Sequence, residues 1–430
     1  MIRCEYTKEK NMKELLDFIN ASPTAFHCVE NIKNALENDS YKELKESDSW
    51  KISKPGKFFV KRNGSSIIAF SIPKGKAKGF RIFSAHSDSP SFRIKENTEM
   101  VFENNYIRLN VEKYGGMIMA SWYDRPLSVA GRVVVREGSE LKEKLVNIDK
   151  DLCVIPNVAI HMKTDLNTGT TYSAQNDMLP LFGDITSKDK FEELIAKEAK
   201  VDKKNILGKD LFLYARQKGT YVGSKKEFIL SPRLDDQACV FSGLKGLLEA
   251  SAKDYINVLA IFDNEEVGSG TKQGAASTFL EDTLFRITDA LSMERTEYLK
   301  LLSNSFNLSA DNAHSVHPAL TSKADPVLRP YMNKGIVIKF NGNQRYATDA
   351  YSAAFVRKVA EDIKIPVQCY ANNSDVAGGS TLGNISTSQV SVKTADIGLA
   401  QLAMHSSVET MGSKDVKDMI ALAKAFYEED

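Results

Sequence analysis

His86 and Asp88 stand two residues apart, directly after the β-rich run 79–85 (GFRIFSA). Asp235 and Asp236 follow the turn Ser231-Pro232-Arg233, and Asp263, Glu265 and Glu266 follow the apolar run 256–262. Asp311 comes after the run 306–310, and His405 after the run 397–404. A single acid behind a strand commonly caps a helix or shapes a turn; acids and histidines behind several strands are a different matter. In open α/β sheets, ligands bind beyond the carboxyl ends of the strands, so these groups are expected to converge on one crevice. Neighbouring acids such as Glu265 and Glu266 repel unless a cation or a proton separates their roles. His86, Asp235, Glu266, Asp311 and His405 make a hard oxygen and nitrogen donor set without thiolate, which suits Zn²⁺, Mn²⁺ or Co²⁺. Two divalent ions facing three carboxylates and a hydroxide come to neutrality, whereas one ion leaves the cluster negative. The expectation is therefore two metals roughly 3.5–4 Å apart, bridged by a carboxylate and a water.

Those strand ends need a scaffold. Of 430 residues, 57 are Lys or Arg and 56 Asp or Glu, so the net charge of +1 gives no electrostatic argument for a nucleic-acid partner. No apolar stretch approaches the ~20 residues of a membrane helix, and the charged start MIRCEYTKEKNMKELLDF is no secretory leader. Five scattered cysteines without a CxxC argue for reduced thiols, and the chain is expected to be cytoplasmic. Helices are expected over 8–20 and 24–37, broken at Ser22-Pro23, followed by a hairpin (58–61 and 66–72) around Asn63-Gly64. The stretch 93–229 carries short alternating runs (106–111, 131–135, 211–214) and reads as an inserted β-rich domain between catalytic parts 1–92 and 230–430. Beyond 230, helices at 236–250, from 274–281 onward, at 349–363 and 414–427 alternate with strands at 256–262, 306–310, 335–340 and 366–369. That alternation predicts an α/β fold, a mixed and mostly parallel sheet flanked by helices. HExxH, GxSxG and GxxxxGK[ST] are missing from the sequence, and the glycine-rich 268–274 fails the spacing of a phosphate loop.

Eight stretches carry a resemblance. They are NASPTAFH (20–27), SAHSDSPSFRIK (84–95), SWYDRPLSVAGR (121–132), SPRLDD (231–236), FDNEEVGS (262–269), SADNAHSVHP (309–318), VIKFNGNQRYAT (337–348) and QLAMHS (401–406). Taken in order, they resemble the aspartyl aminopeptidase family, the family-eighteen metallopeptidases that also include vacuolar aminopeptidase I. The resemblance implies a zinc-peptidase-like domain interrupted by a β-rich dimerisation domain, and a tetrahedral dodecamer built from dimers. It implies that His86 and Asp311 are terminal ligands of one metal, and Glu266 and His405 of the other. Asp235 is the implied bridge, with the adjacent Asp236 as rival. Asp88 is then the acid that orients His86, and Glu265 the general base acting on the metal-bridging water. His161 (IPNVAIHM, 155–162) resembles a histidine that reaches a neighbouring subunit's site and stabilises the oxyanion. Lys339 and Tyr346 match substrate contacts; a cationic Lys339 would favour an N-terminal Asp or Glu, while its place between Ile338 and Phe340 would also suit a solvent-facing strand lysine.

The implied activity is a dinuclear metalloaminopeptidase acting on peptides. Its competitors are a dinuclear carboxypeptidase or deacylase on the same fold, and a non-enzymatic assembly or cargo protein, which intact ligands and base disfavour. His314 and His317 read as supporting residues and His27 as structural. In NSDVAGGSTLG (373–383) Asp375 is kept, but Ala377-Gly378 stand where many relatives carry Pro-Cys, beside the substrate.

Overall fold

The strands Ser66–Ile72, Phe80–His86 and Ile256–Phe262 are buried at every position, as a sheet covered on both faces requires, although Ser66, Ser71, Arg81, Ser84, His86 and Asn257 interrupt their apolar residues. The structure, a computed structural model, describes the backbone of residues 2–430 and side chains from residue 11 onward; the side chain of Cys4 lies outside that range. Contacts divide the chain into two units, one formed by residues up to Asp88 with Gly219–Met404 and Glu409–Asp430, the other by Ser89–Lys218 with His405–Val408.

The first unit is built on a nine-stranded mixed sheet. Its middle holds Ile256–Phe262, Phe80–His86, Phe306–Ala310 and Lys393–Gly398, four parallel neighbours. Side chains alternate between faces with period two. Phe83, Ala85, Leu259, Ile261 and Leu308 pack on one side with helices Ala25–Asn38, Leu234–Glu249 and Asp415–Glu428. Ile82, Val258, Ala260 and Phe262 pack on the other with helix Phe279–Ala290. Phe83 is fully buried, so truncating it to alanine would cost ~3–5 kcal/mol. Gly243 lets the helix Leu234–Glu249 lie close on the sheet, since a Cβ there would meet the Phe83 ring at 2.5 Å.

The run 397–404 is not one strand, as its apolar character suggests. It splits into Lys393–Gly398, in the nine-stranded sheet, and Ala400–Leu402, in a separate five-stranded sheet. Gly398 makes the divide possible, because a Cβ would meet the Asp311 carbonyl oxygen at 2.1 Å. The five-stranded sheet pairs Ala400–Leu402 with Glu409–Gly412, and Glu409–Gly412 with Phe228–Ser231. The helix expected from Gly274 starts at Phe279, because residues 264–278 fold back instead, with Ser269 N donating to the Asn264 carbonyl at 2.7 Å.

The second unit is a six-stranded antiparallel sheet whose core includes Phe92, Leu109, Val129, Val133 and Leu211. Its helix Lys190–Ala199, absent from the sequence reading, inserts Phe191 and Ile195 into that core. The helix start is held from a distant strand, since the Glu99 carboxylate accepts from Asp189 N at 2.7 Å and Phe191 N at 2.8 Å. Among the described residues no helix is long and apolar enough to cross a membrane.

Candidate metal centre

Three of the expected positions sit at the carboxyl ends of adjacent parallel strands. Phe262 pairs with His86 across one ladder, and Ser309 with Ser84 across the next. Chain direction and register thus bring His86, the Glu265-Glu266 turn and Asp311 to one edge. Asp235 and Asp236 come to the same place at the start of helix Leu234–Glu249, where both depart from helical dihedrals and the peptide between them is cis. Donor atoms of His86, Asp235 and Asp311 all lie within 4.8 Å of one another, and so do those of His86, Glu265 and Glu266.

His86 is oriented by its neighbours. Its Nδ1 faces the Asp88 carbonyl oxygen at 3.1 Å and Asp88 Oδ1 at 3.4 Å, leaving Nε2 3.5 Å from Asp235 Oδ1. Two acceptors on the Nδ1 side place the ring proton there and free Nε2 to act as a ligand. The Asp88 carboxylate also accepts from the backbone N–H groups of Glu265 and Glu266, both at 3.2 Å. One acid therefore couples the histidine to the turn bearing the two glutamates. Asn264 enters that turn with φ 61° and Gly268 leaves it with φ 95°.

Burial and mutual repulsion push the acids up. Loss of solvent raises the Glu265 carboxyl to about 8, with Asp311, Asp88 and Asp235 adding to the effect and His86 opposing it. Burial likewise raises Glu266 and Asp236 well above the usual carboxylate range, and raises Asp311. Burial alone would lower His86, but hydrogen bonds to Asp235 and Asp88 more than reverse it. A group of buried acids this short of positive charge has the electrostatics of a cation site. Its donors are imidazole and carboxylate throughout, so the residues fit a divalent ion of the zinc type.

A buried lysine completes the surroundings. Lys339 is 2% exposed; its Nζ lies 3.6 Å from Asp311 Oδ1, donates to the Asn312 carbonyl at 3.1 Å and sits 5.3 Å from the centre of the Tyr346 ring. A solvent-facing strand lysine is thereby excluded. His405 follows Ala400–Leu402 in the chain, within the segment His405–Val408 that groups with the second unit. His161 lies in an exposed loop of that second unit.

The profile of the family described as "Aminopeptidase I zinc metalloprotease (M18)" matches residues 18–427. The chain belongs to the M18 peptidase family. A probable M18 family aminopeptidase 2 of Clostridium acetobutylicum is 48% identical over 413 residues, covering 94% of this chain and 95% of that protein. The structure titled "Cryo-EM structure of the Ape4 and Nbr1 complex" superposes with a TM-score of 0.94 at 34% identity, over 98% of this chain and 86% of that one. The S. cerevesiae mApe1 dodecamer gives a TM-score of 0.85 at 28% identity, over 97% and 96%. This M18 protein is thus a metalloaminopeptidase of the zinc type.

The sequence reading passed over several side chains around the cluster of acids. Asp396 is fully buried and accepts from Thr381 Oγ1 at 2.8 Å and Ala347 N at 2.5 Å. Glu409 accepts from the backbone N–H of Asp235 at 2.9 Å. Neither acid follows an apolar run, so the strand-end signal that exposed the others does not reach them. Of the remaining histidines, His27 Nδ1 pairs with Thr24 Oγ1 at 2.9 Å at the start of the helix Ala25–Asn38. His317 is exposed and its Nδ1 accepts from Ala319 N at 3.2 Å.

Proposed function

We propose that this metalloaminopeptidase holds two divalent ions per subunit, most simply Zn²⁺, and removes single N-terminal residues from peptides. His86, Asp235 and Asp311 would hold one ion, and Asp235, Glu266 and His405 the other, with Asp235 in preference to Asp236 as the bridge. The observation that carries the proposal is the mutual approach of the His86, Asp235 and Asp311 donor atoms at the strand ends, with Glu265 and Glu266 beside His86. The bound ions would polarise the scissile carbonyl and make water acidic enough to attack near neutral pH. Glu265 takes the proton from the attacking water and returns it to the leaving amine. Asp88 keeps the His86 proton on Nδ1 and fixes the backbone from which Glu265 projects.

For the side chain of the residue removed, we take Asp or Glu on the strength of Lys339. Its ammonium is already shared with Asp311 at 3.6 Å, so the preference for acidic over apolar residues is expected to be within about tenfold, ~1.4 kcal/mol. We assign the second unit to subunit contacts, and His161 to oxyanion stabilisation in a neighbouring subunit of a homo-oligomer. Its loop supports this by presenting Val158, Ile160 and Met162 to solvent, Met162 at 82% exposure, and the mApe1 neighbour is titled a dodecamer.

The test is initial hydrolysis rates on aminoacyl amides of Asp, Glu, Leu, Ala and Lys, after chelation and restoration of Zn²⁺, Mn²⁺ or Co²⁺. The panel is run at two protein concentrations spanning assembly. Metal-restored turnover that is modestly highest for Asp and Glu, and falls on dilution, is the expected result. A flat or apolar profile discards the role of Lys339, while dilution without effect discards that of His161.

A further inference from the structure

The peptide group that leads into Asp235 is held at both edges by buried side chains with no part in the mechanism above. On one edge, Asn312 Nδ2 donates to the Leu234 carbonyl at 2.8 Å. On the other, the Asp235 N–H donates to Glu409 Oε2 at 2.9 Å. Gln401 closes the ring, its Oε1 accepting from Asn312 Nδ2 at 3.0 Å and its Nε2 donating to Glu409 Oε1 at 3.5 Å. Asn312, Gln401 and Glu409 are each no more than 2% exposed. Asn312 is fixed in turn, since Cys239 Sγ donates to its Oδ1 at 3.3 Å and Lys339 Nζ to its carbonyl at 3.1 Å.

We propose that Asn312, Gln401 and Glu409 form a clamp that sets the plane of the Leu234–Asp235 peptide, and through it the direction of the Asp235 carboxylate. Glu409 is its key positioning residue. Asp235 has non-helical dihedrals (φ −85°, ψ 108°) at the head of its helix, so the helical ladder does not orient this peptide and the clamp does. The ring is also polar in one sense only. Two donors, the Asp235 N–H and Gln401 Nε2, converge on the two oxygens of Glu409, which only a carboxylate can satisfy. A glutamine at 409 turns an amide nitrogen toward one donor or the other, and reversing the Gln401 amide moves the clash to Asn312 Nδ2. Leaving such groups unmet in a buried site is costly.

The clamp rests on the reading of Asp235 as a metal ligand, and its test separates the two ideas. Zn²⁺ affinity is measured by competition with a chromophoric chelator, alongside the visible spectrum of the Co²⁺-substituted protein and kcat and KM on an aminoacyl amide. Glu409→Gln is expected to weaken Zn²⁺ binding about 10–100-fold, change the Co²⁺ spectrum and lower kcat with KM little altered. Gln401→Glu, which sets two carboxylates against each other, should do the same. The double variant Gln401→Glu/Glu409→Gln restores every donor to an acceptor. In it the carboxylate now at position 401 accepts from Asn312 Nδ2 and from the new amide at position 409, whose oxygen takes the Asp235 N–H. It should recover zinc affinity to within a few fold of wild type. Unchanged zinc affinity in folded Glu409→Gln, or a double variant no better than the singles, overturns the clamp. Should Glu409→Gln fail to fold, the double variant decides alone, by the same criterion of zinc affinity. A wild-type protein that takes up no Zn²⁺ overturns the metal-ligand reading itself.

Discussion

Glu265 and Glu266 are adjacent, share the Asp88 carboxylate through their backbone N–H groups, and yet take different parts in the proposed mechanism. Glu266 hands its charge to a metal and Glu265 keeps its lone pairs for a proton. Glu265→Gln should therefore lower kcat by about 10²–10⁴-fold while zinc content, read by elemental analysis, stays at the wild-type value. Full turnover in a fully metallated Glu265→Gln protein would remove Glu265 as the base. Lys339 shows how burial changes the meaning of a residue. Alternation along its strand allows a solvent-facing lysine, but its Nζ is held between Asp311 and the Asn312 carbonyl. An ammonium so placed offsets the charge of the buried acids first and reads substrate second.

At the scale of elements, the site depends on how closely the helix Leu234–Glu249 approaches the sheet. Gly243 sets that distance, because a Cβ would come within 2.5 Å of the Phe83 ring and 3.0 Å of Leu259. Gly243→Ala gains helix propensity worth up to ~1 kcal/mol, but the forced shift should cost ~1–3 kcal/mol and move Asp235 with it. The expected outcome is a lower melting temperature together with weaker Zn²⁺ retention against a chelator. A melting temperature at or above wild type, with zinc retention unchanged, would show that the helix seats without this close contact.

For the whole molecule, the closing helix is tied down by a buried acid. Asp415 accepts from Asn333 N at 2.6 Å and Gly335 N at 2.9 Å, joining the last helix to the approach of strand Ile336–Phe340. Burial pushes its carboxyl up to about 6, against ~3.9 in an unfolded chain. The folded chain thus binds this proton more tightly than the unfolded one. The associated stability is fully present below about pH 4 and is lost as the pH rises through 6, up to about 3 kcal/mol in all. Between pH 5 and 7.5 the wild-type melting temperature should fall further than that of the non-titrating Asp415→Asn protein, measured side by side by calorimetry. Parallel falls in the two proteins would show that Asp415 does not titrate in this range.

Much of the scaffold is written locally. The strands Ile256–Phe262 and Phe306–Ala310 stand where short apolar-rich runs place them, and Asp349 caps the helix Ala350–Asp362 through a Ser352 partner three residues on. The acids and histidine behind those runs were legible for the same reason, since an apolar strand has to end and polar residues mark the place. What the tertiary structure alone decided is non-local. That Phe80–His86 lies between Ile256–Phe262 and Phe306–Ala310 depends on ladder pairing across more than 150 residues of chain, which no local period encodes. The division of 397–404 between two sheets, the burial of Lys339 and the grip of Glu409 on Asp235 are of the same kind. Each is settled by which side chains meet when distant strands register, because only then does a buried charge find its partner or go without one.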